Sequence, residues 1–473
     1  MGRDNSLALV GVDIGTTWIK AALWKENGEV SISRRPAATD SVFQQDPERI
    51  WCTVAECVRR VLAEGSGGGG VRQVRVAGVG LSGHGPSLVA LDGSGKPLSP
   101  VITWMDRRPL EEAAASSGGE TGAAGPSFEA TALWLVRQPW AKKTAPAAVL
   151  QPKDYICFRL TGELCFDSSA VSCVSAASGW SVRRLFPRLV DPWETAGRVT
   201  AEAASQTGLP EGTPVASGGI DAFVETLGAG VITEGVACDS TGTSTCISTV
   251  PGTVCHVVPG TSLTVIPVSY TGGSLAWAMS VLFPAAVRAS EGWEGVIAEA
   301  LTRSRVGAGG LVFVPHMVGE RSPRAIPGAT GGFVGIRPRH GVHDMLRAVL
   351  EGCAYVVREC MEEAGLLWTT REIRAVGSGA RHDGWLQMKA DITGVPVVKM
   401  AAREGAVLGA VILAGMAARR FASAAEGVDA VVRAARVFEP RRDDAEEYRK
   451  ASDVFLSVER TLEGLWQRRG LSG

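Results

Sequence analysis

Asp13-Ile14-Gly15-Thr16-Thr17 is reached through the apolar run 7–12 and left through the apolar run 19–24, the pattern of strand, tight turn and strand. The pattern returns in the middle of the chain, where Asp239-Ser240-Thr241-Gly242-Thr243-Ser244 lies between the strand-like runs 236–239 and 246–250. Glycine lets the backbone turn tightly and approach an anion closely, while successive N–H groups and threonine hydroxyls supply donors. One such turn is usually only a hairpin. Two of them, in matching places, predict a pair of phosphate-holding hairpins facing each other across a cleft: Gly15, Thr16 and Thr17 in the first, Thr241, Gly242 and Thr243 in the second. A polyphosphate is the ligand they suit.

The length of 473 residues exceeds what one hydrophobic core serves, so two to three domains are expected. The order of elements begins again near residue 231, which divides the chain into halves of 1–233 and 234–473. Apolar residues at 45% and charged residues at 21% are those of a soluble globular protein, and a net charge of −1 supplies no attraction for nucleic acid or acidic membranes. The expected partners are therefore small molecules, with a homodimer allowed. The 10 cysteines form no CxxC pair and no tight Cys/His cluster, so reduced thiols are expected and structural zinc is not. No stretch reaches the roughly 18 to 20 apolar residues of a membrane helix, and the N-terminus lacks a secretory apolar core; a cytoplasmic location is expected.

Strand-like runs at 7–12, 19–24, 74–79 and 88–91 make the opening a β-rich half with an antiparallel start. The second half repeats this plan with runs at 236–239, 246–250, 262–267 and 274–279, then helix-like residues 281–304. Met345, Leu346, Val349, Leu350, Ala354, Val357 and Met361 recur at helical spacing over 343–364 and stop at Gly365. Residues 445–465 read as a charged amphipathic helix, expected to pack back on the first lobe. Residues 65–70 and 113–125, rich in Gly, Ala and Ser, read as linker and surface filler. Gly78-Val79-Gly80-Leu81-Ser82-Gly83 has the form of a dinucleotide fingerprint, but Gly85 and Pro86 and then a second strand follow where a helix should open. Gly93-Ser94-Gly95-Lys96 lacks the first glycine of a Walker loop.

Phosphoryl transfer requires positioning, charge neutralisation and one carboxylate to take the acceptor's proton. Asp221 follows the strand-like 214–216 and a glycine turn and precedes a small-residue helix; general base and helix N-cap are both open to it. Asp13 is suited to holding Mg²⁺ through water, since that ion keeps several waters, or to bonding its own turn. Gly377-Ser378-Gly379-Ala380-Arg381 follows the strand 373–376 and suits either a nucleoside lying on backbone or a plain strand-to-helix loop.

Together these residues resemble the FGGY carbohydrate kinases, most closely the xylulokinases, of the actin, hexokinase and Hsp70 superfamily. The family's features occur in order: the Asp13 turn, Gly80-Leu81-Ser82-Gly83, Trp104 with Asp106 and Arg108, Pro152-Lys153-Asp154-Tyr155, Gly219-Ile220-Asp221 and Thr241-Gly242-Thr243-Ser244. Gly319-Glu320-Arg321-Ser322-Pro323, Gly331-Gly332-Phe333-Val334-Gly335, Gly377 to Arg381 and Glu404-Gly405-Ala406 follow. The resemblance spans nearly the whole chain. It implies an α/β fold of two ribonuclease H-like lobes with a cleft between them, the first binding sugar and carrying the base, the second binding nucleotide. It implies ATP and Mg²⁺ as cofactors, Asp221 as general base, Asp13 as the magnesium-linked carboxylate, and His84, Trp104, Asp106 and Asp221 as sugar contacts. Gly332, Gly377, Gly379 and Ala380 would form the adenosine site.

The chain departs from xylulokinases on the sugar side. Where they carry Gln-Met-His-Gly it reads His84-Gly85-Pro86-Ser87, Met105 replaces a polar residue, and Thr131 stands where the signature has lysine. The expected activity is ATP-dependent phosphorylation of a ketopentose such as D-xylulose, with another ketose, a polyol, or a non-catalytic sensor of the same fold as alternatives.

Overall fold

The computed structural model describes residues 7–37, 41, 43–65, 74–116, 127–171, 183–268, 270–288 and 292–470. The filler expected at 66–70 and 117–125 falls outside them. The chain forms two compact units: residues 1–232, 253–263 and 404–432 make the first, and 233–252, 264–403 and 433–473 the second.

In the first unit, β1 (Leu7–Ile14), β2 (Trp18–Lys25) and β3 (Val30–Pro36) form an antiparallel meander. Then come β4 (Arg75–Gly83), β5 (Thr195–Arg198), β6 (Pro214–Ala216) and the two-residue β7 (Gly219–Ile220). The sheet order is β5-β6-β4-β1-β2-β3, with β4 parallel to β1 and β6, and β7 beside the end of β4. β1 is buried along nearly its whole length, as a central strand covered on both faces must be. One cover is the helix Pro47–Gly65, whose buried Ile50, Trp51, Val54, Val58 and Val61 recur at three- and four-residue spacing. The other is the helix Gly405–Ala417, apolar all round, which packs on β1, β4 and the helix Asp221–Gly228. That contact is backbone-close: a Cβ at Gly80 would stand 1.9 Å from the carbonyl oxygen of Ala410.

In the second unit, β8 (Val236–Thr241), β9 (Thr245–Cys255), β10 (Ser262–Val268), β11 (Glu372–Val376), β12 (Val397–Met400) and β13 (Ala434–Phe438) lie in the order β10-β9-β8-β11-β12-β13. As in the first unit, the opening hairpin's first strand pairs in parallel with the fourth strand of the sheet, and an antiparallel strand closes the far edge. The helices Val342–Glu363, Asp383–Thr393 and Arg442–Gly470 pack in this unit around Trp385, Phe455 and Trp466.

Two expectations are corrected. Residues 274–279 are not a strand but the middle of the helix Thr271–Leu282: Leu275, Ala278 and Met279 are buried at helical spacing, and a short apolar run does not separate the two periods. The last helix packs within the second unit; the segment that returns to the first is 404–432. Among the described residues no helix is long and apolar enough to cross a membrane.

Candidate active site

The β1–β2 register, Ile14 opposite Ile19 and Asp13 opposite Lys20, leaves a tight turn in which Gly15 N–H donates to the carbonyl of Trp18 at 3.0 Å. Glycine is required there, because a Cβ at residue 15 would stand 2.6 Å from that oxygen. Asp13 is buried at the end of β1. It accepts from Ser82 Oγ, its register partner on β4, at 2.9 Å and from Lys20 Nζ at 3.4 Å. Lys20 also lies 2.8 Å from Glu404. Burial opposes the charge on Lys20, but the carboxylates of Asp13 and Glu404 outweigh it and raise its pKa.

β7 pairs with β4 through Gly219–Ser82 and Ile220–Gly83, which delivers Asp221 to the same end of the sheet as Asp13. Asp221 occupies the first turn of its helix rather than the cap, and Oδ1 accepts from Ala222 N–H at 2.8 Å. Its residue is only half-buried, yet the protein packed around the carboxyl and the nearby charge of Asp13 push its pKa up to about 8; the Ala222 N–H and Lys20 oppose the shift. Such a group is both proton-accepting and close to neutrality in its titration, as a general base requires.

Beside the turn, five residues close a ring of hydrogen bonds. Trp104 Nε1 donates to Thr16 Oγ1 at 3.3 Å, and Gln45 Nε2 donates to the Thr16 carbonyl at 3.0 Å. That leaves Gln45 Oε1 to accept from His84 Nε2 at 2.9 Å, so His84 Nδ1 accepts from Ser87 Oγ at 2.8 Å, and Ser87 Oγ accepts from Trp104 N–H at 3.0 Å. Both imidazole nitrogens are thus engaged by protein, and burial lowers His84 to about 4, so the ring is neutral. Asp106 is held by Arg108, whose Nε lies 2.9 and 3.1 Å from its two oxygens. Thr17 is exposed at the tip of the turn. Gln45→Leu removes one ring member and leaves the buried His84 Nε2–H without an acceptor and the Thr16 carbonyl without its donor; it is expected to cost about 1–3 kcal/mol in urea unfolding and to raise KM for the acceptor more than KM for nucleotide.

In the second unit a cavity of about 710 Å³ is lined by Gly242, Thr243, Gly272, Gly273, Ser378 and Gly379, with Tyr270, Trp293, His382 and Arg381 around it. That volume is of the size small-molecule sites have. Thr243 is exposed at the hairpin tip, whereas Thr241 is buried below it. The Thr241 hydroxyl donates to Asp239 at 2.5 Å and accepts from Lys389 Nζ at 2.9 Å, so it supports the turn from beneath. A Cβ at Gly272 would stand 1.9 Å from the Gly242 carbonyl oxygen, and Gly377, at φ +79°, packs against the Thr241 carbonyl. Of the expected adenosine residues, Gly379 lines the cavity, Gly377 and the buried Ala380 do not, and Gly332 lies on the strand Gly332–Val334, also outside the lining. Trp293 and His382 stack at 6.2 Å with 9° between their planes, and Glu294 Oε2 bonds His382 Nδ1 at 3.1 Å.

The sequence reading did not single out Gln45, Lys20, Trp293 or His382. Lys20 was findable, because the two-strand register about Gly15 places it opposite Asp13; the others reach their sites through tertiary contacts with no local signal. Among the described residues no group of three or more His, Cys, Asp and Glu is placed to hold a metal ion directly. With Asp13 already accepting from Ser82 and Lys20, its donor set fits a magnesium held through water.

Comparison with known proteins places this geometry. Residues 8–178 match the N-terminal domain of the FGGY family of carbohydrate kinases and residues 239–418 its C-terminal domain. A xylulose kinase of Klebsiella pneumoniae is 31% identical over 86% of this chain and 89% of its own. A gluconokinase of Bacillus subtilis (strain 168) is 28% identical over 96% of both chains. Among solved structures, a xylulose kinase from Rhodospirillum rubrum, 27% identical, aligns with a TM-score of 0.83 over 97% of this chain and 100% of that one. A hairpin-led sheet occurring twice, each time with a glycine-threonine turn, and both domain matches in register with it leave one assignment: the chain belongs to the FGGY family of carbohydrate kinases and is a sugar kinase.

Proposed function

We propose that this enzyme transfers the terminal phosphoryl group of ATP to a hydroxyl of a neutral ketopentose, D-xylulose being the leading candidate, with Asp221 as general base. The observation that carries the reading is Asp221 itself, a carboxylate beside Asp13 whose pKa is raised to about 8. Asp221 takes the proton of the acceptor hydroxyl as its oxygen bonds to phosphorus and the bond to the leaving ADP oxygen breaks. Lys20 keeps the carboxylates of Asp13 and Glu404 compensated, so that the site tolerates several acids close together. Gly15, Thr16, Gly242 and Thr243 offer donors for phosphate oxygens, and the cavity beside Gly379 takes the nucleoside. Mg²⁺, held by Asp13 through water, would supply charge neutralisation on the phosphates.

The neutral acceptor is favoured over gluconate by charge. Lys20 and Arg108, the cations bonded within this group, are each committed to carboxylates, His84 is neutral, and Lys20 faces two carboxylates, Asp13 and Glu404, so the surroundings carry an excess of negative charge. A carboxylate substrate would enter uncompensated. One second reading rests on His84: with both its nitrogens occupied, sugar recognition passes to Trp104, Asp106 and neighbouring groups, which leaves room for a polyol or a different ketose. ADP release measured over pentuloses, hexuloses, polyols and gluconate tests both. Highest kcat/KM with D-xylulose is expected; a preference for gluconate would refute the charge argument, and a preference for a polyol would select the second reading.

A further inference from the structure

Lys153, Asp154 and Asp167 form an ionic cluster that the transfer described above does not use, and all three side chains are fully buried. Lys153 and Asp154 open the helix Pro152–Thr161, and Asp167 ends the strand Cys165–Asp167. The Lys153 ammonium bonds Asp154, stands 3.9 Å from Asp167 Oδ2 and donates to the carbonyl of Ser217 at 3.3 Å. Asp154 also accepts from Gln151 Nε2 at 2.9 Å, and Asp167 Oδ1 accepts from both the N–H and the hydroxyl of Ser169 at 2.8 Å.

Two carboxylates against one ammonium leave an excess of buried negative charge, and burial pushes Asp167 up to about 6. Exchanging such a cluster for apolar residues is often neutral or stabilising, so stability is a weak reason for its presence. What it touches is a better one. Ser217 follows β6 and begins the segment Ser217-Gly218-Gly219-Ile220 that ends at Asp221. Gly218, at φ +73°, would place a Cβ 2.0 Å from the carbonyl oxygen of Leu81, and a Cβ on Gly219 would lie 3.7 Å from Asp167 Oδ2. On the neighbouring strand, Gly83 is the register partner of Ile220, and a Cβ there would meet the Cβ of Lys153 at 2.9 Å. Lys153 is wedged against the end of β4, with its charged end on the carbonyl that follows β6, four residues before Asp221.

We infer that Lys153 is a positioning residue for Asp221: anchored by Asp154 and Asp167, it holds the Ser217 carbonyl and thereby fixes the glycine turn that aims the carboxylate at the acceptor hydroxyl. The inference rests on Asp221 being the general base. A positioning role makes a specific demand, that the loss of Lys153 should matter only while the carboxylate it aims is present.

The experiment is a double-mutant cycle of the parent, Lys153→Met, Asp221→Asn and the double variant, with kcat, both KM values and a thermal melt for each. Lys153→Met is expected to lower kcat by about tenfold or more, to leave KM for ATP within about twofold, and to lower kcat less than about twofold further in the Asp221→Asn background. Lys153→Arg, which keeps a cation against the Ser217 carbonyl, is expected to recover part of the loss. Should Lys153→Met not fold, Asp167→Asn, which retains an acceptor for Ser169 and removes one anchoring charge, goes through the same cycle with an expected loss of about threefold. Equal losses in the two backgrounds, or parental kcat in either test variant, overturn the inference. An Asp221→Asn enzyme as fast as the parent overturns the base assignment itself, whereas a slow Asp221→Asn with additive losses overturns only the role of Lys153.

Discussion

Asp221→Asn is expected to lower kcat with the acceptor sugar by about 10² or more while leaving the affinity for ATP within about twofold. The amide keeps the shape of the side chain and its place in the first turn of the helix, and the cavity proposed for the nucleoside is lined by second-unit residues only, so ATP affinity is expected to hold. On the proposed mechanism, what is lost is the acceptor for the hydroxyl proton. The pH dependence follows with a definite sign. In the free enzyme Asp221 holds its proton until about pH 8, so kcat/KM for the sugar should fall about tenfold for each unit below that value and level off above it. Stability should move the other way. The unfolded carboxyl ionises near its ordinary value of 3.8 and the folded one only near 8, so the folded chain binds one more proton between those values. Stability contributed by this group is therefore present below pH 3.8 and is lost progressively as pH rises to about 8. Asp221→Asn removes that loss, and its melting temperature should exceed the parent's at pH 9 and match it near pH 4. A variant with parental turnover would remove Asp221 from the mechanism, and an unchanged melting temperature at pH 9 would show that its carboxyl is not strained.

Lys389→Met is expected to be the most destabilising single change in the second unit, by about 3–5 kcal/mol in urea unfolding, because it strands a buried carboxylate. Lys389 Nζ lies 2.6 Å from Asp239 Oδ2 and 2.9 Å from Thr241 Oγ1, and both partners are shut away from solvent. The threonine hydroxyls continue the network, Thr241 to Thr245 at 2.8 Å and Thr245 to Thr271 at 2.6 Å, which ties the hairpin root to the start of the helix Thr271–Leu282. Gly242 and Thr243 at the hairpin tip and Gly272 and Gly273 on that helix line the same cavity, so loosening the network should also weaken ATP binding wherever the variant remains folded. Adding Asp239→Asn removes the stranded charge and should recover most of the stability. A single variant as stable as the parent, or a double variant no better than the single, would show that the charges are not coupled as their distances imply.

The two glycine-threonine turns, the helix over 342–363 and the repeated hairpin plan were legible because each rests on local periodicity or on a turn only glycine can make. The helix over 271–282 was not, since six apolar and small residues read equally well at either period, and its burial against the sheet decides between them. His84 shows the same limit within the site. As a histidine in a glycine loop it invited a ligand-binding role; the fold brings Gln45 from 39 residues earlier to one nitrogen and Ser87 to the other, and the imidazole becomes a neutral strut.

Residue order by itself determined the family, the repeated hairpin and the candidates Asp13, Asp221, Thr16 and Thr243, because hairpin turns, strand ends and helix starts are dictated by neighbours a few positions apart. Tertiary structure alone decided which of these groups are free to meet a ligand. Thr241 differs from Thr243 by two residues and by nothing in its chemistry, yet Lys389, 148 positions away, takes its hydroxyl into the core. The carboxyl of Asp221 titrates near neutrality only because folding desolvates it and sets Asp13 beside it. Partners so distant in the chain meet through packing, and burial then sets the protonation and hydrogen-bonding state that the chemistry uses.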